Sequence, residues 1–188
     1  MKIASAYSLQ PDPRRAADEA AGRLRAALGD EPALVLVYAT EELAVPALVE
    51  ALTAVFPGAP LAGGTSCGGV MTEAGFHAGP GGAVGLLGVI DPEGDYGVGS
   101  ASIGDDPLAA GAAAMERALC AAGRDFETPL LVWCCQPPGD EEAVIAGIES
   151  VVGRGCPIIG GSAADHEIAG RWREFAGAEV LEDHVVVA

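Results

Sequence analysis

A six-residue phrase occurs twice in this chain. Pro60-Leu61-Ala62-Gly63-Gly64-Thr65 returns 97 residues later as Pro157-Ile158-Ile159-Gly160-Gly161-Ser162. Apolar residues running into two glycines and a hydroxyl read as a buried strand that stops where the backbone comes close to a neighbour or a ligand. A chain that repeats so unusual a phrase is built from two similar halves. That restricts the fold more than any other feature.

The flanking signals repeat as well. Asp12-Pro13 and Asp106-Pro107 each open a helix, the acid as cap and the proline where its missing N–H costs nothing. Gly29 and Gly123 close those helices. The first carries the stripe Ala17, Ala20, Ala21, Leu24, Ala27 and Leu28. Pro32 and Pro129 precede two apolar runs, Ala33 to Ala39 and Leu130 to Cys135, which read as strands covered on both faces. Thr40 is expected to cap the next helix, with Glu41 and Glu42 in its first turn and Ala44, Ala47, Leu48, Ala51, Leu52 and Val55 as its buried stripe. Asp140 caps the matching helix, striped by Val144, Ile148, Val151 and Val152. Two strands are expected near residues 74–78 and 83–90, and closing strands at Trp172–Phe175 and at Val180 with Val185–Val187. The expected architecture is α/β. Residues 1–188 form one compact pseudo-two-fold domain around a mixed sheet, from internal repeats of βαβαβββ order over about 1–94 and 95–188.

With 27 acids against 10 bases, the net charge is −17. Such a surface argues against nucleic acid and against an anionic membrane face. The longest apolar runs are strand-sized, far short of a membrane span. No secretory pattern opens the chain. The five cysteines are odd in number and lack metal-ligand spacing, and the three histidines do not supply it. A cytoplasmic protein with no metal and no cofactor is expected. Cys134 and Cys135 are neighbours in a strand and should face opposite ways.

In parallel α/β sheets, ligands sit beyond the carboxyl ends of strands. Gly63, Gly64, Gly160 and Gly161 lie at such ends. Their backbone N–H groups, with the hydroxyls of Thr65, Ser66 and Ser162, can hold a carboxylate or phosphate. Asp165 can hold an ammonium, so the pair of ends suits an amino acid. The alternative is that the glycines only permit tight turns and close packing. Cys67 lies in a loop that reads as exposed. It either pairs with His77 or His166 as a thiolate–imidazole nucleophile or is a small, partly buried thiol. Trp172, between Arg171 and Arg173, is either an aromatic lid over the second motif or an edge-strand residue. Neither glycine motif is a mononucleotide or dinucleotide signature, and Gly79, Gly81, Gly82 and Gly85 read as a hairpin linker.

The stretch Gly63-Gly64-Thr65-Ser66-Cys67-Gly68-Gly69, with Gly160-Gly161-Ser162-Ala163-Ala164-Asp165 and the following Arg171-Trp172-Arg173, resembles the FIST N-terminal domain. The resemblance covers essentially the whole chain. One departure is that the family often has an acid two or three residues past the first motif, and here the nearest is Glu73. The resemblance implies a cytoplasmic sensory domain of signal-transduction proteins. It implies ligand binding rather than catalysis, with an amino acid or similar small metabolite as ligand. A FIST C-terminal domain or another signalling partner would read the state. The chain stops on Val185–Ala188, inside a strand, as a piece of a longer protein or a short member would. Two other classes are an interaction scaffold, which predicts an exposed apolar patch, and a Cys67-dependent enzyme.

Overall fold

The computed structural model describes residues 1–188. The first half runs β1 (Lys2–Ser8), α1 (Pro13–Leu28), β2 (Leu34–Ala39), α2 (Val45–Val55), β3 (Leu61–Thr65), β4 (Val70–Thr72), β5 (Gly75–His77) and β6 (Val84–Ile90). The second runs β7 (Gly99–Ser102), α3 (Pro107–Ala121), β8 (Val132–Gln136), α4 (Glu141–Val152), β9 (Ile158–Ser162), β10 (Glu174–Ala176), β11 (Glu179–Leu181) and β12 (His184–Val187).

Local chemistry accounts for the helix ends. Asp12 accepts from the Arg15 N–H at 2.9 Å, and Asp106 from Ala109 at 2.9 Å. Gly29 closes α1 at φ 86°, a left-handed conformation that glycine adopts without strain. The Thr40 expectation fails. Its hydroxyl accepts the Ala83 N–H at 3.0 Å instead, so α2 starts at Val45 and leaves Glu41 and Glu42 in the turn before it. Asp140 stands at the start of α4 but makes no side-chain cap. Ala27 and Ala44 are exposed, and Val45 and Val49 join the α2 stripe in the core.

Six strands form one sheet in the order β1-β6-β2-β3-β10-β11, and four form another in the order β7-β12-β8-β9. In each, the first, last, second and third strands of one half lie side by side in that order. The β2–β3 and β8–β9 pairs are parallel and the other pairs antiparallel, so both sheets are mixed. Each half holds one strand more than the βαβαβββ expectation. The extra strands come from short hairpins, β4–β5 and β10–β11, whose three-residue arms are too brief to show a period. There are two main sheets rather than one. The second half reaches into the first sheet only through β10–β11, which lies along β3.

Helices α1 and α2 cover one face of the first sheet, burying Val35, Val37, Ala39, Val84 and Leu86. Helices α3 and α4 cover the second, burying Val132, Cys134, Val185 and Val187. The uncovered faces meet in a smaller cluster of Ala62, Trp133, Cys135, Ala163 and Val186. Tyr38 and Trp133 meet edge to face there, with centroids 6.1 Å apart. Cys134 and Cys135 thus face opposite ways, one into the helix-covered core and one between the sheets. No helix is long and apolar enough to cross a membrane.

Candidate functional site

Parallel strands β2 and β3 end side by side at Ala39 and Thr65. Past them lie the turn holding Glu41 and Glu42, and the loop Ser66–Gly69. The third wall comes from the other half, as residues 163–173 following β9.

That loop is folded around Asp165. Its buried carboxylate accepts the N–H groups of Glu167 at 3.0 Å, Ala169 at 2.9 Å and Arg171 at 2.7 Å. Burial works to raise its pKa, but these backbone donors outweigh burial and hold it below the ordinary carboxylate range. The oxygens expected to hold a ligand ammonium are spent on the loop itself. The loop delivers Arg171 to Glu41 in a two-pronged pair, 3.0 Å at each oxygen, and Arg171 also reaches Glu167 at 3.1 Å. The Arg171 hydrogen bonds depress Glu41, and the two carboxylates raise Arg171.

His166 ties the halves together. Gly68 donates its N–H to His166 Nδ1 at 2.9 Å, which places the ring proton on Nε2, and Nε2 meets Glu42. Glu42 is raised by burial but lowered further by bonds from Thr40 and His166, and stays ionised more readily than usual. Thr65 completes the seam. Its hydroxyl accepts from Arg173 N–H at 3.0 Å, its N–H donates to Arg173 C=O at 2.9 Å, and its C=O accepts from Ala164 at 3.0 Å.

Between these walls opens a cleft of about 530 Å³, lined by Glu41, Glu42, Leu43, Ala44, Val45, Pro46, Thr65, Arg171 and Arg173. Two carboxylates and two guanidiniums face an apolar helix start. A second cleft of about 400 Å³, lined by Pro60, Tyr96, Val98, Ala176, Gly177 and Glu179 among others, has no cationic wall.

The sequence candidates divide. Thr65 lines the charged cleft. Gly63 and Gly64 do not offer free N–H groups, because β3 is paired on both sides, with β2 and β10. A Cβ on Gly63 would lie 1.8 Å from Val37 O, and one on Gly64 would lie 2.8 Å from Cys135 Sγ. Both are packing glycines. Gly160 repeats the Gly63 role against Cys134 O, also at 1.8 Å, while Gly161 meets nothing within 4 Å. Gly160 and Gly161 stand exposed on the outer edge of β9, and Ser162 donates to Glu141 at 2.7 Å. Ser66 turns its hydroxyl to Gly69 C=O at 2.7 Å. Cys67 is exposed, as expected, but neither proposed histidine is free for it. His77 stacks on Tyr7 with centroids 3.4 Å apart and meets Thr72 at 2.8 Å, and His166 is held by Gly68 and Glu42. Trp172 lies just before β10 and packs, half-buried, on the inter-sheet cluster.

Sequence reasoning missed Glu41, Glu42, Arg171 and Arg173 as cleft residues. The signal was present for the first two. An acid pair directly after a buried strand lies at a carboxyl end, where ligands bind.

Two like-ordered mixed sheets, with a charged cleft where the loops of both halves meet at paired strand ends, define an α/β domain with one charged cleft at its seam. The chain belongs to the FIST N domain family, whose match spans residues 33–188, and with it to the domains of sensory signal transduction. No curated protein matches it. Among solved structures, the cyanuric acid hydrolase from A. caulinodans is similar at TM-score 0.46 and 13% identity, over 99% of this chain. The chain spans 65% of that hydrolase's length.

Proposed function

We propose that this chain is a cytoplasmic small-ligand-binding sensory domain, and that its ligand is an amino acid or a similar zwitterionic metabolite held in the Glu41–Arg171 cleft. One observation carries the reading. Loops from both halves converge on a single cleft at a parallel strand end, joined across it by Gly68 to His166 and by Thr65 to Arg173. A pocket walled by both halves can report occupancy as a change in how they sit together. A ligand shifts that balance only by its different affinity for the two arrangements.

The lining suits a zwitterion. Arg173, which donates to Trp172 C=O at 2.6 Å and lies 3.5 Å from the exposed Glu182, is the cation available to a ligand carboxylate. Glu41 and Glu42 are ionised, and although Arg171 and His166 already bond to them they give that wall the negative charge an ammonium would meet. Asp165 and the Gly-Gly pairs support this cleft rather than touch the ligand. The reading is of binding without turnover, supported by the commitment of His77 and His166 away from Cys67. A signalling partner, of the FIST C-terminal kind or another, would read the closed state.

A thermal-shift screen against the twenty amino acids and common metabolites tests the proposal. A ligand at about 100 times its dissociation constant adds about 2.7 kcal/mol, a readily measured rise. The expected result is a hit that Arg173→Met abolishes and Cys67→Ser leaves intact. A hit that survives Arg173→Met but is lost on Cys67→Ser contradicts the binding reading in favour of a cysteine enzyme.

A further inference from the structure

The two halves differ in what lies along their third strands. On β3, the hairpin β10–β11 fills the outer edge, with Glu174, Phe175 and Ala176 opposite Gly64, Gly63 and Ala62. On β9, the strand in the same place in the other sheet, the outer edge pairs with nothing. The hairpins differ correspondingly. Both have three-residue arms on a two-residue turn. Both pack beside the last strand of their own half, β4 against β6 and β10 against β12. Yet β10–β11 has a sheet to join, and β4–β5 is a two-stranded sheet by itself.

The side chains show what is missing. In β10–β11 the cross-strand pair Phe175 and Val180 packs into the core under α1 and α2, with Phe175 only 1% exposed. The pair at the same positions of β4–β5 is Met71 and Phe76, and these stand 76% and 61% exposed. On the unfilled edge, Ile159 is 52% exposed. A chain with 27 acidic residues places no charge anywhere on β9. Open edges are ordinarily guarded by charge, proline within the strand or a bulge. This one has none, and Gly161 leaves it sterically open.

We infer that the β9 edge is the docking site for the β4–β5 hairpin of a second copy of this chain, in the antiparallel register that β10–β11 adopts on β3. Each copy carries one donor hairpin and one acceptor edge, so the joint is head to tail. Main-chain bonds to Ile159–Gly161 supply the pairing, and Met71 and Phe76 leave water as Phe175 and Val180 already do. Such a contact, repeated, closes into a ring or runs on as a chain of copies.

Sedimentation equilibrium on the intact chain, with two surface variants, tests this. The wild type should sediment at twice the 18.8 kDa chain mass or more, with or without any cleft ligand. Ile159→Lys disables the acceptor and Phe76→Lys the donor. Each alters an exposed side chain, so each variant should keep the wild-type circular dichroism and sediment as a monomer. Mixed one to one, they retain one good donor and one good acceptor between them, and should form a two-copy complex that grows no further. A monomeric wild type at tens of micromolar overturns the inference, and leaves the edge to a different protein. So does assembly that survives either variant, or a mixture that stays monomeric.

Discussion

Gly68 and His166 are 98 positions apart in the chain, and the backbone N–H of one lies 2.9 Å from the imidazole Nδ1 of the other. The bond fixes the tautomer, directs Nε2 at Glu42, and seals the two loops that wall the cleft. Removing it should loosen the loop more than the fold. His166→Ala is expected to cost about 1 kcal/mol globally. Amide exchange across residues 163–171 should accelerate far more than exchange in β2 or β8. Uniform acceleration would mean that the loop is not a separate unit.

Asp165 should behave as the organiser of that loop. Its folded pKa lies below the unfolded value, so its contribution is complete above the unfolded pKa and is lost as pH falls through the folded one. Asp165→Asn should lower the melting midpoint at neutral pH by several degrees and flatten the acid limb of the stability profile. A mutant profile parallel to the wild type down to strong acid would contradict this.

Glu174 predicts the opposite slope. It is fully buried between the sheets, with one oxygen unpartnered and the other accepting only a 3.4 Å bond from His184 N–H. Burial pushes its carboxyl up to about 7. A raised acid pKa stabilises the fold below the unfolded pKa, and that stability is lost as pH rises through the folded pKa. The wild type should therefore lose roughly 3 kcal/mol from this group between about pH 4.5 and pH 8. Glu174→Gln should remove the slope and be the more stable protein at pH 8, by urea titration at each pH.

The glycines should rank by what a Cβ would meet. Gly63→Ala and Gly160→Ala each drive a methyl into a neighbouring strand's carbonyl, and should cost about 3 kcal/mol by overpacking. Gly161→Ala should fall within about 0.5 kcal/mol of wild type. Equal costs at Gly160 and Gly161 would contradict the assignment of the first as packing and the second as open edge.

Much of the scaffold was legible because its signals are local. An acid before a proline caps α1 and α3, and apolar runs between breakers mark β2 and β8. The Gly-Gly phrase falls on strands β3 and β9, as expected of a strand, but its purpose is set by atoms far away in the chain. Val37 O and Cys134 O are what exclude a side chain at Gly63 and Gly160. Of the hairpin arms, β5 and β10 fall on the strands expected near 74–78 and at Trp172–Phe175, while β4 escaped and β11 was run together with β12, because three-residue arms carry no period. Asp165 reads as a free acid until the backbone is seen folded round it. Glu41 reads as a helix-start charge until Thr40 is found bonded to Ala83.

The central claim is that the cleft joining the two halves is the ligand site. Amide chemical-shift mapping, on titration with the strongest hit from the metabolite screen, tests it most directly. The account predicts the largest changes at Thr65, Gly68, His166, Arg171 and Arg173, on both sides of the seam. Changes gathered at Tyr96, Gly177 and Glu179, around the second cleft, or along Ile159–Gly161, would contradict it.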